Sequence, residues 1–541
     1  MDGGLAQHLA TDVVGRVASV SGSQMVVLVS DRGRFDSSDP ASGLHAGQIV
    51  RIPVAKQWVF GLVTALTEPT ASSSGGEGQV FAELDLLGEA PRGDGEREGF
   101  ARGVSLVPAV GAPVSIAGTD DIATVYANAG RATVRIGSVH HDDAIAATVA
   151  PDDLLGKHFA IVGGTGTGKS CATALILQRI LAQNPNAHIV LLDPHCEYAP
   201  AFAGMAEIVD STTLELPYWL FSLEELAAVI LRTDKPLRDT PAEVNILSTL
   251  IVSAKRSYQA QAAGQEKRRP ITVDTPVPYR LTDVQKMLEE EMGRLDKPES
   301  LTPFLRLKSR LQAVREDGRY SFMFTGIALR DNLGAVLSRL FRVPVDGKPI
   351  TIVDLSGMPS DVLSVIVSVL GRITFEFALF SAQSIPILLV CEEAHRYLPE
   401  QAGAGFEPAK RNLAQIAKEG RKYGVSLCLV SQRPADLAAG ALSQCSTVFA
   451  MRLTSQADQD FVRGALPDWS AGLMDLLPSL RNGEAVAVGE GVSVPMRLVF
   501  DTLPPDRRPH GATAKFSERW QNDDVTPDFI ASVVNRWRDA R

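Results

Sequence analysis

The stretch that decides the fold runs from residue 158 to residue 193. It opens on the apolar run His158-Phe159-Ala160-Ile161-Val162 and continues with Gly163-Gly164-Thr165-Gly166-Thr167-Gly168-Lys169-Ser170. It closes on a second apolar run, Ile189-Val190-Leu191-Leu192-Asp193. Short apolar runs bounded by glycine read as buried strands, and the apolar spacing after Ser170 reads as a helix. Strand 158–163, helix 169–182 and strand 188–193 then form the opening βαβ unit of a parallel sheet, which sets the class as α/β. The glycine-rich octet between strand and helix matches a phosphate-binding P-loop in residue order and in setting. Glycines let backbone N–H groups face phosphates with no Cβ in the way, and the helix N-terminus adds the positive end of its dipole. In such a loop Lys169 reaches the outer phosphates and the Ser170 hydroxyl ligates Mg²⁺. Gly164, Thr165, Gly166, Thr167, Gly168 and Cys171 complete the expected cradle. A glycine-rich turn in front of a core helix is the bland alternative, and the flanking elements speak against it.

Three further strand ends carry polar residues. Ile387-Leu388-Leu389-Val390-Cys391 runs into Glu392-Glu393-Ala394-His395. An acidic pair there places one carboxylate, Glu392, on the metal side and a second, Glu393, as the base that polarises the attacking water. Leu191-Leu192-Asp193-Pro194-His195-Cys196-Glu197-Tyr198 follows the second strand, and Val430-Ser431-Gln432-Arg433-Pro434 a later one. Open parallel sheets bind ligands at their carboxyl edges. Gln432 is therefore a candidate sensor of the terminal phosphate, against simple loop capping. Asp193 and Glu197 either orient water or metal, or cap the next turn. Lys418-Glu419-Gly420-Arg421-Lys422-Tyr423-Gly424 is a basic turn ahead of the strand 425–431; Arg421 is either a solvated helix end or an arginine that completes a neighbouring site.

Around this core, residues 1–145 are rich in valine and glycine with turns about every ten residues. A pair of short strands within 15–29 and single strands at 48–54, 58–64, 80–86, 114–117 and 132–136 predict a small antiparallel barrel, with 71–78 and 92–98 as exposed loops. Residues 146–214 hold the first part of the βα core. Residues 215–345 read as a helical insertion with amphipathic segments at 222–231, 241–259, 282–294 and 301–316. The core resumes over 346–500, and 501–541 ends in an apolar-periodic helix, 529–537, suited to packing on a neighbour.

At 541 residues the chain is too long for one core. Its apolar runs near 160, 189 and 385 are strand-length, far from the roughly 20 residues of a membrane span, and residues 1–10 lack a secretion signal. No membrane partner is expected, and the five cysteines (171, 196, 391, 428, 445) show no metal spacing, so they read as reduced thiols of a cytoplasmic protein. The formal net charge of −10 excludes a uniformly basic nucleic-acid coat. It does not exclude a ring that is acidic outside and basic in its channel.

Taken in order, Gly163–Ser170, Leu191–Tyr198, Leu388–Pro399 and Glu419–Pro434 resemble the HerA ATPases, relatives of the FtsK DNA pumps, over most of the chain. The resemblance implies a RecA-like P-loop core, an N-terminal β-barrel, a helical insertion and a C-terminal brace. It implies ATP and Mg²⁺ as cofactors, a homo-hexameric ring threading double-stranded DNA, and a partner docked on the barrel. In the bacterial branch that partner is a nuclease in DNA end processing, or a nuclease or sirtuin-like effector in anti-phage defence. The family's arginine finger falls on Arg421 and its second trans-acting base on Lys157, a lysine where an arginine is usual. Glu392 stands where aspartate is usual, and Cys196 where the family's D-x-x-G-E-Y motif has glycine. DNA-gripping candidates are Lys410 and Arg411 in the loop 399–411, and Lys255, Arg256, Lys267, Arg268 and Arg269 in the insertion. A second reading is an assembly scaffold, in which ATP binding builds a ring that activates an effector with little translocation.

Overall fold

The first strands are short, valine-rich and alternately buried, and they close on themselves. A computed structural model describes residues 13–30, 33, 43–68, 79–92, 99–127, 130–140, 142–231, 241–262, 270–294, 298–324, 331–401, 406–466, 471–511, 516–521 and 527–539. The expectations on residues 1–10, 71–78 and 93–98, and on Lys267, Arg268 and Arg269, lie outside the described residues. In chain order the strands are β1 (Val13–Ser21), β2 (Gln24–Val29), β3 (Ile49–Val54), β4 (Gln57–Thr67), β5 (Phe81–Pro91), β6 (Ala101–Arg102), β7 (Pro113–Ile116), β8 (Val134–Val139), β9 (Asp142–Val149), β10 (His158–Val162), β11 (Ile189–Asp193), β12 (Ala206–Val209), β13 (Ile350–Asp354), β14 (Ile387–Cys391), β15 (Val425–Ser431), β16 (Cys445–Met451), β17 (Glu484–Gly489) and β18 (Met496–Phe500). They belong to two compact units. One comprises Met1–Gln183, Leu429–Ala435 and Ala439–Leu503; the other comprises Asn184–Cys428, Asp436–Ala438 and Pro504–Arg541.

The first unit holds the barrel, in strand order β2-β1-β7-β3-β4-β5, with β5 returning to β2 and β6 added outside β5. Irregular register in β1 and at two points in β4 supplies the bends that closure needs. Val17, Met25, Val27, Val50, Ile52, Val63, Leu84 and Val114 fill the interior, each burial worth roughly 1.5–3 kcal/mol before entropy is counted. Gly15 lets β1 and β2 approach: a Cβ there would sit 2.6 Å from Val27 Cγ1. The same unit contains a sheet in the order β10-β16-β17-β18-β8-β9, with β10 parallel to β16 and the later pairs antiparallel. This corrects the sequence reading of 132–136 as barrel: β8 pairs with β18 and β9 instead. Half-buried antiparallel strands alternate in the same way in a barrel and at a sheet edge, so the pattern alone could not separate them. The barrel therefore ends before residue 134, ahead of the expected limit at 145.

The second unit carries the parallel order β12-β13-β11-β14, and β15 begins in this unit and ends in the first. β11 and β14 are buried on both faces, which is why they read as unbroken apolar runs. Between β12 and β13 lie the helices Leu223–Leu231, Pro241–Ala262, Leu281–Gly293, Pro298–Glu316 and Leu333–Phe341. Helix Ser360–Phe380 is long and apolar enough to cross a membrane, yet it buries Val362, Ile366, Val369 and Leu370 inside the unit. It is a longer apolar stretch than the strand-length runs near 160, 189 and 385, interrupted by Ser364 and Ser368. Both serines find acceptors: Ser364 donates to Ser360 O of its own helix at 2.8 Å, and Ser368 to Glu225 Oε1 of helix Leu223–Leu231 at 2.9 Å. The terminal helix Pro527–Asp539 leaves Phe529, Ile530 and Trp537 exposed. All five cysteines are free thiols; Cys391, Cys428 and Cys445 are buried, and burial pushes the Cys391 and Cys445 thiols up to about 12.

Candidate nucleotide site

In the first unit β10 delivers the chain to the octet 163–170, and helix Lys169–Gln183 carries it away. The base of the loop is held by backbone bonds, Gly163 N–H to Ser431 O at 3.2 Å and Gly164 N–H to Arg452 O at 2.9 Å. Past that point the N–H groups of Thr165, Gly166, Thr167 and Gly168 donate to no carbonyl among the described residues. Gly166 and Gly168 have φ of 74° and 105°, conformations that a side chain would strain. A Cβ on Gly163 would lie 2.8 Å from Met451 Cβ, so β16 could not pack there against any other residue. Lys169 is almost fully buried, and its Nζ donates to Gly164 O at 2.9 Å, the carbonyl that also accepts from Thr167 Oγ1 at 2.9 Å. Thr165 Oγ1 donates to Gln432 Oε1 at 2.6 Å, so the predicted sensor is already tied to the loop. Four backbone donors and one ammonium converging on a helix N-terminus fit a polyphosphate. Ser170, the first residue after that lysine, lies in the first helical turn.

The second unit brings the other polar strand ends together. Asp193 closes β11 with no exposure and accepts from His195 N–H at 3.2 Å and Tyr198 N–H at 2.9 Å. Burial pushes its carboxyl above the ordinary carboxylate range, and the N–H donors of Tyr198, Glu197 and His195 pull it back. Cys196, in the family's glycine position, stands at φ 56°, which explains why glycine is usual there. Its thiol donates to Asp354, which with burial raises the thiol to about 11. Glu197 is half-buried, and its carbonyl accepts from His510 N–H at 2.9 Å. Glu392 and Glu393 follow β14, each about 4% exposed. Tyr198 Oη donates to Glu392 Oε2 at 2.6 Å. Glu393 adopts φ 53°, and its carboxylate lies between two imidazoles, 3.7 Å from His195 Nε2 and 3.3 Å from His395 Nδ1. Sequence reasoning quoted both histidines and gave neither a role; no spacing rule connects residue 195 to residue 393.

Arg421 lies on the 3₁₀ turn Gly420–Tyr423, exposed, with no ion pair to it among the described residues. Lys157, the other expected trans-acting base, is paired with Glu490 of its own chain. Of the DNA-gripping candidates, Lys255 is a correction. It is 1% exposed and donates to the carbonyls of Val273 and Thr275 at 2.6 Å each, so it pins the segment 270–280 to helix Pro241–Ala262. Arg411 is tied to Glu224 at 2.5 Å. Burial lowers the Lys255 ammonium to about 8 from 10.5. A lowered folded pKa means the unfolded chain binds the extra proton between those values, so the contribution of Lys255 to stability grows as pH rises from about 8 to 10.5. Melting curves of the protein and of Lys255→Met across that range should therefore diverge, the protein with Lys255 gaining with pH relative to the variant.

The fold and the octet define a P-loop ATP hydrolase with a parallel core sheet. Residues 134–373 match the family model described as "Helicase HerA, central domain", which starts at the first residue of β8. The chain is 26% identical over 472 residues to the DNA double-strand break repair helicase HerA of Pyrococcus furiosus, covering 79% of this chain and 78% of that one. It is 26% identical over 439 residues to the protein of the same name from Sulfolobus acidocaldarius, covering 80% and 81%. Among solved structures, VirB4 of Thermoanaerobacter pseudethanolicus is 18% identical, with a TM-score of 0.48 over 70% of this chain and 99% of that one. The bacterial conjugative coupling protein TrwB is 11% identical, with a TM-score of 0.47 over 73% and 93%. The chain is thus similar to HerA helicases over about four-fifths of its length.

Proposed function

We propose that the protein is an ATP-driven translocase of double-stranded DNA that works as a homo-hexameric ring beside a separate nuclease or other effector docked on the barrel. The observation that carries the ATPase part is the P-loop geometry: Lys169 and the donors of Thr165–Gly168 on one loop, with Gln432 tied to it. Lys169 and the loop amides bind the phosphates, Gln432 reads the terminal one, and Glu393 takes the proton of the attacking water. Ser170 and Glu392 would hold Mg²⁺, which supplies charge neutralisation on the phosphates when bound. Arg421, exposed and without an ion pair among the described residues, acts on a neighbouring subunit's site. DNA as substrate is supported by relatives named as DNA double-strand break repair helicases over four-fifths of their length.

The experiment is steady-state ATP hydrolysis with and without linear duplex DNA over a salt series. Turnover should rise with DNA, and the stimulation should fade as salt displaces backbone contacts. Turnover indifferent to DNA at every salt concentration would favour the scaffold reading, in which Glu393→Gln, binding ATP without hydrolysing it, still activates the effector.

A further inference from the structure

One turn touches both members of the acidic pair. From the Asp193–Tyr198 segment, Tyr198 reaches Glu392 through its hydroxyl and His195 reaches Glu393 through its imidazole. The turn is fixed without help from either glutamate. Asp193 accepts from two of its N–H groups, Asp193 O accepts from Leu355 N–H at 2.9 Å, and the Cys196 thiol is anchored on Asp354. The acids need such a hold. A glutamate has three side-chain torsions, and Glu393 stands at a left-handed φ between the end of β14 and the 3₁₀ turn Ala394–Arg396. A hydroxyl donating to a carboxylate at 2.6 Å is a strong, charge-assisted bond that fixes the glutamate rotamer. Two imidazoles on opposite oxygens limit the swing of Glu393.

We infer that the Asp193–Tyr198 turn is the positioning device of the acidic pair: Tyr198 sets Glu392, and His195, opposite His395, sets Glu393. It rests on the roles proposed above for the two glutamates. A base displaced by about 1 Å can lose two orders of magnitude in rate, so residues that hold it matter even though they do not touch nucleotide.

The test compares Tyr198→Phe and His195→Ala for turnover, equilibrium binding of ATP and melting temperature, and adds His195→Ala to Glu393→Gln under single-turnover conditions. Each single variant should lower kcat by about 10–100-fold, the usual range for residues that orient others, while ATP binding and melting temperature hold. In the Glu393→Gln background His195→Ala should cost nothing more, because its effect passes through the base. If Tyr198→Phe fails to fold, His195→Ala carries the test alone, since that side chain is half-exposed. Turnover unchanged in both variants, weakened ATP binding that accounts for the loss, or an equal further loss in the Glu393→Gln background would each overturn the inference. Full turnover by Glu393→Gln itself would instead overturn the assignment of the base.

Discussion

Glu393→Gln should lower ATP turnover by about 10²–10⁴-fold, the contribution of a positioned general base, and leave ATP binding intact. Its carboxylate is 4% exposed and lies between the imidazoles of His195 and His395. Glutamine keeps the shape of the side chain between His195 and His395, so the turn and the strand end should keep their structure. The proposed phosphate ligands, Lys169 and the loop amides of Thr165–Gly168, are not altered by the substitution. Equal Kd for ATP with lost turnover is the expected pair of results. A variant that hydrolyses at the original rate would remove Glu393 from the chemistry and send the search to Asp193 or Glu197.

Which parts of this arrangement the residues announce follows from how local each signal is. The P-loop is legible because its chemistry is written in eight consecutive residues. The acidic pair is legible because it sits at the end of an apolar run of strand length. Lys255 was misread as a surface cation because a lysine in an amphipathic helix looks solvated until its acceptors, Val273 and Thr275, are brought over it by a segment about twenty residues downstream. The strand β8 was misplaced because one of the two strands that flank it in the sheet, β18, lies more than 350 residues further along the chain. The clamp on the glutamates was invisible for the same reason: Tyr198 and Glu392 are neighbours only because β11 and β14 pair in register, Leu192 beside Cys391. The resemblance flagged Cys196 as a departure; only the backbone shows that the position demands a left-handed conformation.

Arg421→Ala should cost about 10³–10⁵-fold in turnover, the range for an arginine that stabilises transferring phosphate. The turn that bears it is built to be rigid. Gly424 follows at φ 79°, Gln383 Nε2 donates to Lys422 O, and Tyr423 packs edge-on against Phe375 with ring centroids 5.3 Å apart. Arg421 itself points away from these contacts into solvent, with no ion pair to a carboxylate among the described residues, so its removal should leave the fold undisturbed. A guanidinium carried on a fixed turn, with no ion pair among the described residues, is suited to a phosphate supplied by another molecule. The decisive measurement mixes two inactive variants. In an Arg421→Ala subunit Glu393 is intact, and in a Glu393→Gln subunit Arg421 is intact. If the arginine acts across a head-to-tail interface, mixing equal amounts completes on the order of a quarter of the interfaces, and hydrolysis returns. If the arginine acts within its own chain, no mixture contains a complete site and the activity stays at that of the separate variants; full activity of Arg421→Ala alone would return Arg421 to the status of a solvated helix end.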